Sequence, residues 1–191
     1  NRLVNEQTEV ALLLAGPVLL GMLALVPWVI PLLYSAEFAP AAGILRWQIL
    51  GDVLKVASWP LGFLILAAGD GRTFMFTESL AIGIFVAVTW AGLALAGIQA
   101  TGIAFLVMYV VLLPVVYWLA RRRTGFHWDK RVIEQLVALI FAAVVVALAG
   151  AWSEIAAAIA GVAGALAFAV YGLGRLGALA NLSGPVGRVA S

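Results

Sequence analysis

Cysteine is absent from this chain, histidine occurs once, and only 10% of the residues are charged. Without cysteine there is no disulfide, no thiolate metal site and no cysteine nucleophile. The lone histidine, His127, has no carboxylate pair beside it, so no metal site is expected and an interfacial place suits it better than catalysis. Phosphate loops, nucleophile elbows and metalloprotease motifs are all missing, so neither an enzyme nor a cofactor is expected. The net charge of +2 is too small to argue for nucleic acid.

What fills the space is apolar. Hydrophobic residues make up 65% of the 191, against roughly half in ordinary soluble domains, which also carry about a quarter charged residues. A soluble chain of this size cannot bury that much; lipid as the outer solvent removes the difficulty. Six apolar runs, at 10–33, 41–69, 73–96, 99–120, 132–148 and 154–173, approach or exceed the about 20 helical residues that cross a bilayer. Lipid cannot satisfy a free backbone, and the runs are too long and continuous for barrel strands. The expectation is an all-α, polytopic transmembrane bundle of six helices with a polar tail at 174–191. Links are short, so neighbouring helices run antiparallel. The chain opens on Asn1 with no charged-then-apolar leader before the first run, and its natural N-terminus is expected to lie further upstream.

Basic residues sort by side. Arg2, Arg72, Arg121, Arg122, Arg123, Lys130, Arg131, Arg175 and Arg188 fall in segments that a six-span chain places together, while the opposite links hold Glu37 and Glu154. By the positive-inside rule both ends are cytoplasmic. Tyr117, Trp118 and Trp128 flank the basic link at 121–131, and Trp28, Tyr34 and Trp152 lie near the other interface, where aromatic rings favour the headgroup level. The basic link itself reads as a topology signal or as a contact for anionic headgroups.

The second run carries the oddity: Arg46, Gln48, Asp52 and Lys55 within one span. Each charge at such depth costs from about 2.5 kcal/mol upward, and helix formation does not require it. Asp52 and Lys55, three apart, share a face and can pair. Arg46 lies about a turn inside the outer end and either snorkels outward or lines a cavity. These groups mark a substrate or ion pathway, or else an ion pair that only fixes packing. Pro60 is expected to kink this helix; Pro17, Pro27, Pro31 and Pro114 stand in the first and fourth. Glu78 and Glu134, near inner helix ends, either reach back toward Arg72 and Lys130 or serve as proton-coupling carboxylates. Gly161, Gly164 and Gly172 in the last run signal close helix packing.

Two phrases carry a resemblance: PLLYSAEFAPA at 31–41 and LRWQILGDVLKV at 45–56, followed later by Tyr117-Trp118-Leu119 and Gly125-Phe126-His127-Trp128 around the arginine-rich link. Over residues 3–135 the chain resembles the second half of bacterial polysaccharide flippases in the multidrug/oligosaccharidyl-lipid/polysaccharide exporter (MOP) superfamily, above all the Wzx-type O-antigen and enterobacterial-common-antigen lipid translocases. The resemblance implies most of the C-terminal lobe of a MATE-like transporter fold, with the N-terminal lobe outside this chain. It implies movement of an undecaprenyl-pyrophosphate-linked oligosaccharide across the bacterial cytoplasmic membrane by alternating access. Arg46, Lys55 and Gln48 would meet the pyrophosphate and sugar; Asp52 and Glu78 would pair charge or couple a proton or sodium ion. Membrane lipid and other polysaccharide-assembly membrane proteins would be its partners. The rivals are a drug or cation antiporter of the same superfamily, a polytopic enzyme of polysaccharide assembly, and a structural subunit without transport.

Overall fold

The computed structural model describes residues 1–33 and 38–183. Tyr34, Glu37, Arg188 and the tail from 184 on lie outside the described residues. Six helices follow one another: α1 (Arg2–Leu33), α2 (Ala39–Ala67), α3 (Gly71–Ala96), α4 (Gln99–Thr124), α5 (Lys130–Trp152) and α6 (Glu154–Ser183). All six are long and apolar enough to cross a membrane. This is the make-up of a multi-pass membrane protein. At 1.5 Å per residue even the shortest, 23-residue α5, is about 35 Å long against about 30 Å of hydrocarbon.

Boundaries depart from hydropathy at both ends of the chain. α1 starts eight residues before the first apolar run, and α6 continues through Gly174 to Ser183, where composition suggested a tail. Polar residues at a helix end lower hydropathy without breaking the backbone ladder. Prolines do not divide the helices either: α1 runs through Pro17, Pro27 and Pro31, α2 through Pro60 and α4 through Pro114. Just past the ends of α2, α3 and α4 stand Gly69, Gly97 and Gly125, each at positive φ, a conformation that side-chain-bearing residues disfavour. Asp70 then caps α3: Thr73 donates its backbone N–H (3.1 Å) and its hydroxyl (2.7 Å) to the carboxylate. These bonds, followed by nearby Arg123 and Arg72, hold the Asp70 carboxyl below the usual carboxylate range. The cap's contribution is therefore complete above the ordinary carboxylate pKa and fades as pH falls through the lowered one.

α2 is the centre of the bundle, with 44% of its most apolar window buried, whereas α3 at one edge buries 6%. α4 and α1 flank α2; α3 packs chiefly on α4, and α6 on α1 and α5. α5 closes the back, touching α1, α2 and α6. One apolar cluster joins α1, α2, α5 and α6 through residues such as Leu20, Ile49, Val53 and Leu139. A second joins α2, α3 and α4 through Leu61, Ile65, Met108, Leu112 and the loop residue Phe126. In lipid such contacts hold by close packing rather than by escape from water. Glycine sets the spacing: a Cβ on Gly102 would stand 2.6 Å from the Ile44 carbonyl oxygen and 3.0 Å from Trp47 Cβ. α6 meets α1 in the same way at Gly161, where a Cβ would run into Ala24.

Alternation of the helices collects the cations. Asn5 on α1 donates to the His127 carbonyl (3.0 Å) and accepts from the Asp129 N–H (2.9 Å). Arg123 Nε lies 3.3 Å from Asp70, and Arg175 pairs with Glu9. Those contacts bring the start of α1, the α2–α3 and α4–α5 links and the late part of α6 to one end. At the other end Arg46 meets Glu154, and Gln99 donates to the Pro40 carbonyl (3.0 Å).

Gly102→Val should destabilise the α2–α4 seam by about 1–3 kcal/mol, read as a lower unfolding midpoint in detergent. Gly83→Ala, where a Cβ meets nothing within 4 Å, should hold or raise it. Because the chain has no cysteine, single cysteines at 127 and 153 should react with an impermeant maleimide from opposite faces of a sealed vesicle. Labelling from the same face would break the six-span topology.

Candidate functional site

Helical spacing sets up the polar face of α2. Gln48, Asp52, Lys55 and Trp59 recur at i, i+4, i+7 and i+11, a single stripe. α4 occupies one flank, where Gly51 faces Phe105 and Ile44 faces Gly102. α1 occupies the other, through the cluster around Ile49, Val53 and Ala57. The stripe lies between these seams. It is partly open, with 32% of the Asp52 side chain and 29% of the Lys55 side chain exposed.

Asp52 and Lys55 pair as their spacing predicts, with Oδ1 and Nζ 3.5 Å apart. The ammonium also lies 5.1 Å from the Trp59 ring centre and 5.4 Å from that of Phe105. A carboxylate and two aromatic faces thus hold one cation about 20 Å from either end of α2. At that depth neither group lies close enough to a helix end to snorkel to water. Such a pair is close to neutral, and Asp52 compensates Lys55 until another anion competes for it.

Two recesses open beside this stripe, sharing Trp59 and Phe63 as the ridge between them. One, of about 240 Å³, lies among α2, α3 and α4 and brings Ser58, Thr77, Glu78 and Tyr109 together. The other, about 630 Å³, runs between α1 and α2 and includes Gln7. Glu78 therefore lines a hollow; among the described residues it makes no ion pair with Arg72, the contact its position near the helix end suggested. Glu134 does turn back to Lys130, at 3.4 Å. Gln48 faces a third recess of about 250 Å³ with Ile30 and Phe38 toward the opposite end.

Arg46 does not join this group. Six residues from Asp52, it points about 120° away around α2, and its Nη2 lies 4.0 Å from Glu154 at the far end of the bundle. Among the described residues no cluster of three or more histidines or carboxylates is placed to hold a metal ion.

No family model, curated protein or solved structure matches this chain.

A second polar centre escaped the sequence reading. Glu9 of α1 is buried, 7% exposed, and its Oε1 accepts from Arg175 Nη2 (2.7 Å) and Nε (3.1 Å) of α6 and from Gln135 Nε2 (3.3 Å) of α5. Gln135 Nε2 also lies 3.3 Å from the Tyr171 hydroxyl. Three helices are tied at one point. Glu9 sits just before the first apolar run, and Arg175 falls just after the last, among the basic residues of the tail. Only their meeting makes them a pair, with the carboxylate buried and the guanidinium a quarter exposed.

Arg175→Ala leaves a buried carboxylate without its counter-ion and should cost about 3–5 kcal/mol. Adding Glu9→Gln to it should recover part of that loss. Equilibrium unfolding in detergent of both single variants and the double variant measures the coupling, and equal losses in single and double variants would show that the pair does not act as a unit.

Proposed function

We propose that this chain is the C-terminal lobe of a polysaccharide flippase of the MOP superfamily, moving a lipid-linked oligosaccharide across the bacterial cytoplasmic membrane by alternating access. The observation that carries the proposal is the Asp52–Lys55 pair, held at mid-depth on a face of α2 that neither α1 nor α4 closes. A pyrophosphate-linked sugar is large, anionic and hydrated. Its passage needs a cation inside the membrane that is compensated between events, and a polar wall on which hydroxyls can exchange hydrogen bonds. Lys55 meets the phosphate in this scheme, Asp52 holds Lys55 or takes the coupling proton or sodium ion, and Gln48 meets sugar. Glu78 lines the recess nearer the basic end, which the scheme places in the cytoplasm. A second lobe faces this stripe and completes the cavity. No covalent chemistry is required of any residue, which separates this reading from a membrane enzyme. Arg46, paired with Glu154 off the stripe, is assigned to the outer end rather than to substrate.

The cation-exporter reading has one observation in its favour: Glu78 shares its recess with Trp59, Tyr109 and Phe63, and a carboxylate among aromatic faces suits an organic cation. The two readings separate on one set of variants. In the full-length protein, supplied to a strain lacking its own flippase, Lys55→Ala and Asp52→Ala should each lower surface polysaccharide about tenfold or more, as expected for losing a charge-assisted contact. Arg46→Ala should retain most of it. Undiminished polysaccharide in the Asp52 and Lys55 variants, at normal membrane levels, removes the stripe from the mechanism. Loss of drug resistance in Glu78→Gln, with polysaccharide unchanged, would favour the exporter.

A further inference from the structure

α4 and α5 are joined by a five-residue link yet do not pack on one another; both lean on α2. Between them runs a crevice of about 370 Å³, walled by Leu106, Val110 and Leu113 of α4 and Ile140, Ala143 and Val144 of α5, with α2 as its floor. Every named wall residue is apolar. Val110 and Val144, at the two rims, are 53% and 43% exposed, so the crevice opens sideways, toward the acyl chains of a surrounding bilayer.

The exposed surface of α4 continues to the basic end, turning about 120° around the helix on the way, a turn that the long arginine side chains and a flexible lipid can follow. Val110, Pro114, Trp118, Arg121 and Arg122 follow at i, i+4, i+8, i+11 and i+12, and all five are exposed. Arg122 Cζ stands 5.2 Å over the Trp118 ring, which fixes the guanidinium on this stripe. Of the neighbouring cations, Arg123 is committed to Asp70 and Lys130 to Glu134. Arg121 and Arg122 have no carboxylate partner among the described residues. Leu113 and Arg121 are eight residues apart, about 12 Å along the helix, a distance that part of one acyl chain spans.

The geometry points to a binding site for an anionic phospholipid, with its phosphate on Arg121 and Arg122, its glycerol region against Trp118 and one acyl chain in the α4–α5 crevice. A topology signal needs only the number of cations on one side. It explains neither the tryptophan under Arg122 nor the apolar slot beginning two turns away. A lipid uses all three: the arginines give the anionic preference, the ring marks headgroup depth, and the slot takes a chain that water would not hydrate. The site lies on the flank of the bundle, apart from the Asp52–Lys55 stripe, and does not depend on the transport reading.

Native mass spectrometry of the detergent-purified chain, with phosphatidylglycerol and phosphatidylcholine offered together, tests it. Near-surface arginines contribute about fivefold each, so phosphatidylglycerol should be preferred by about tenfold or more. The double variant Arg121→Gln/Arg122→Gln should lose that preference, while Lys130→Gln/Arg131→Gln should keep it. Val144→Trp, closing one rim, should weaken retention of both lipids severalfold; Val110→Trp on the facing rim serves if the first variant loses its helical circular dichroism. Inorganic phosphate at millimolar concentration should not displace the lipid. Equal loss on removing either basic pair would mean a diffuse charge effect and would overturn the site. Retention unaffected by filling the crevice, or displacement by free phosphate, would overturn the acyl slot.

Discussion

Hydrocarbon offers nothing to a charge, so each ionic side chain carried into a span must bring its partner or reach an edge. That constraint organises this bundle. Arg46 and Glu154 meet at one end, Arg175 and Glu9 near the other, and Asp52 and Lys55 halfway between. The end pairs fasten helices distant in sequence. The middle pair fastens nothing of the kind, because both members belong to α2. A pair that links no two helices and yet stands at depth has its use on the face it occupies, which is why the functional reading rests on it.

The small residues follow from the same solvent. Lipid gives no hydrophobic reward for bringing helices together, so they associate by fit. Gly51 and Gly102 let α2 and α4 approach closely, and Gly161 does so for α6 and α1. Where glycine meets nothing, as at Gly83 on α3, the helix is an edge with most of its surface turned outward. The central α2 is thus gripped on its glycine and aliphatic sides, and its polar stripe is what remains between those seams. α5, held against α2 but not against α4, leaves the crevice on the other side of the bundle.

The number and kind of elements were legible in the sequence because a span must be apolar for about 20 residues, a local property that survives any packing. The Asp52–Lys55 pairing was equally legible, since residues three apart on a helix are neighbours whatever surrounds them. Clustering of cations by side was legible too, because antiparallel alternation follows from short links. Helix ends were less so: residues 2–9 and 174–183 extend α1 and α6 beyond their apolar windows.

Only the tertiary structure decided which long-range partners meet. Nothing local to Glu9 says that Arg175 and Gln135 will surround it, and nothing local to Arg46 says that it turns to Glu154, away from Asp52. Glu78 lining a recess with Tyr109, and α4 standing apart from α5, likewise depend on how α2, α3, α4 and α5 are arranged around one another. The physical reason is range. Hydropathy and helical periodicity act over one or two turns, whereas a buried ion pair or an open crevice depends on the relative placement of whole helices, set by the sum of their packed surfaces.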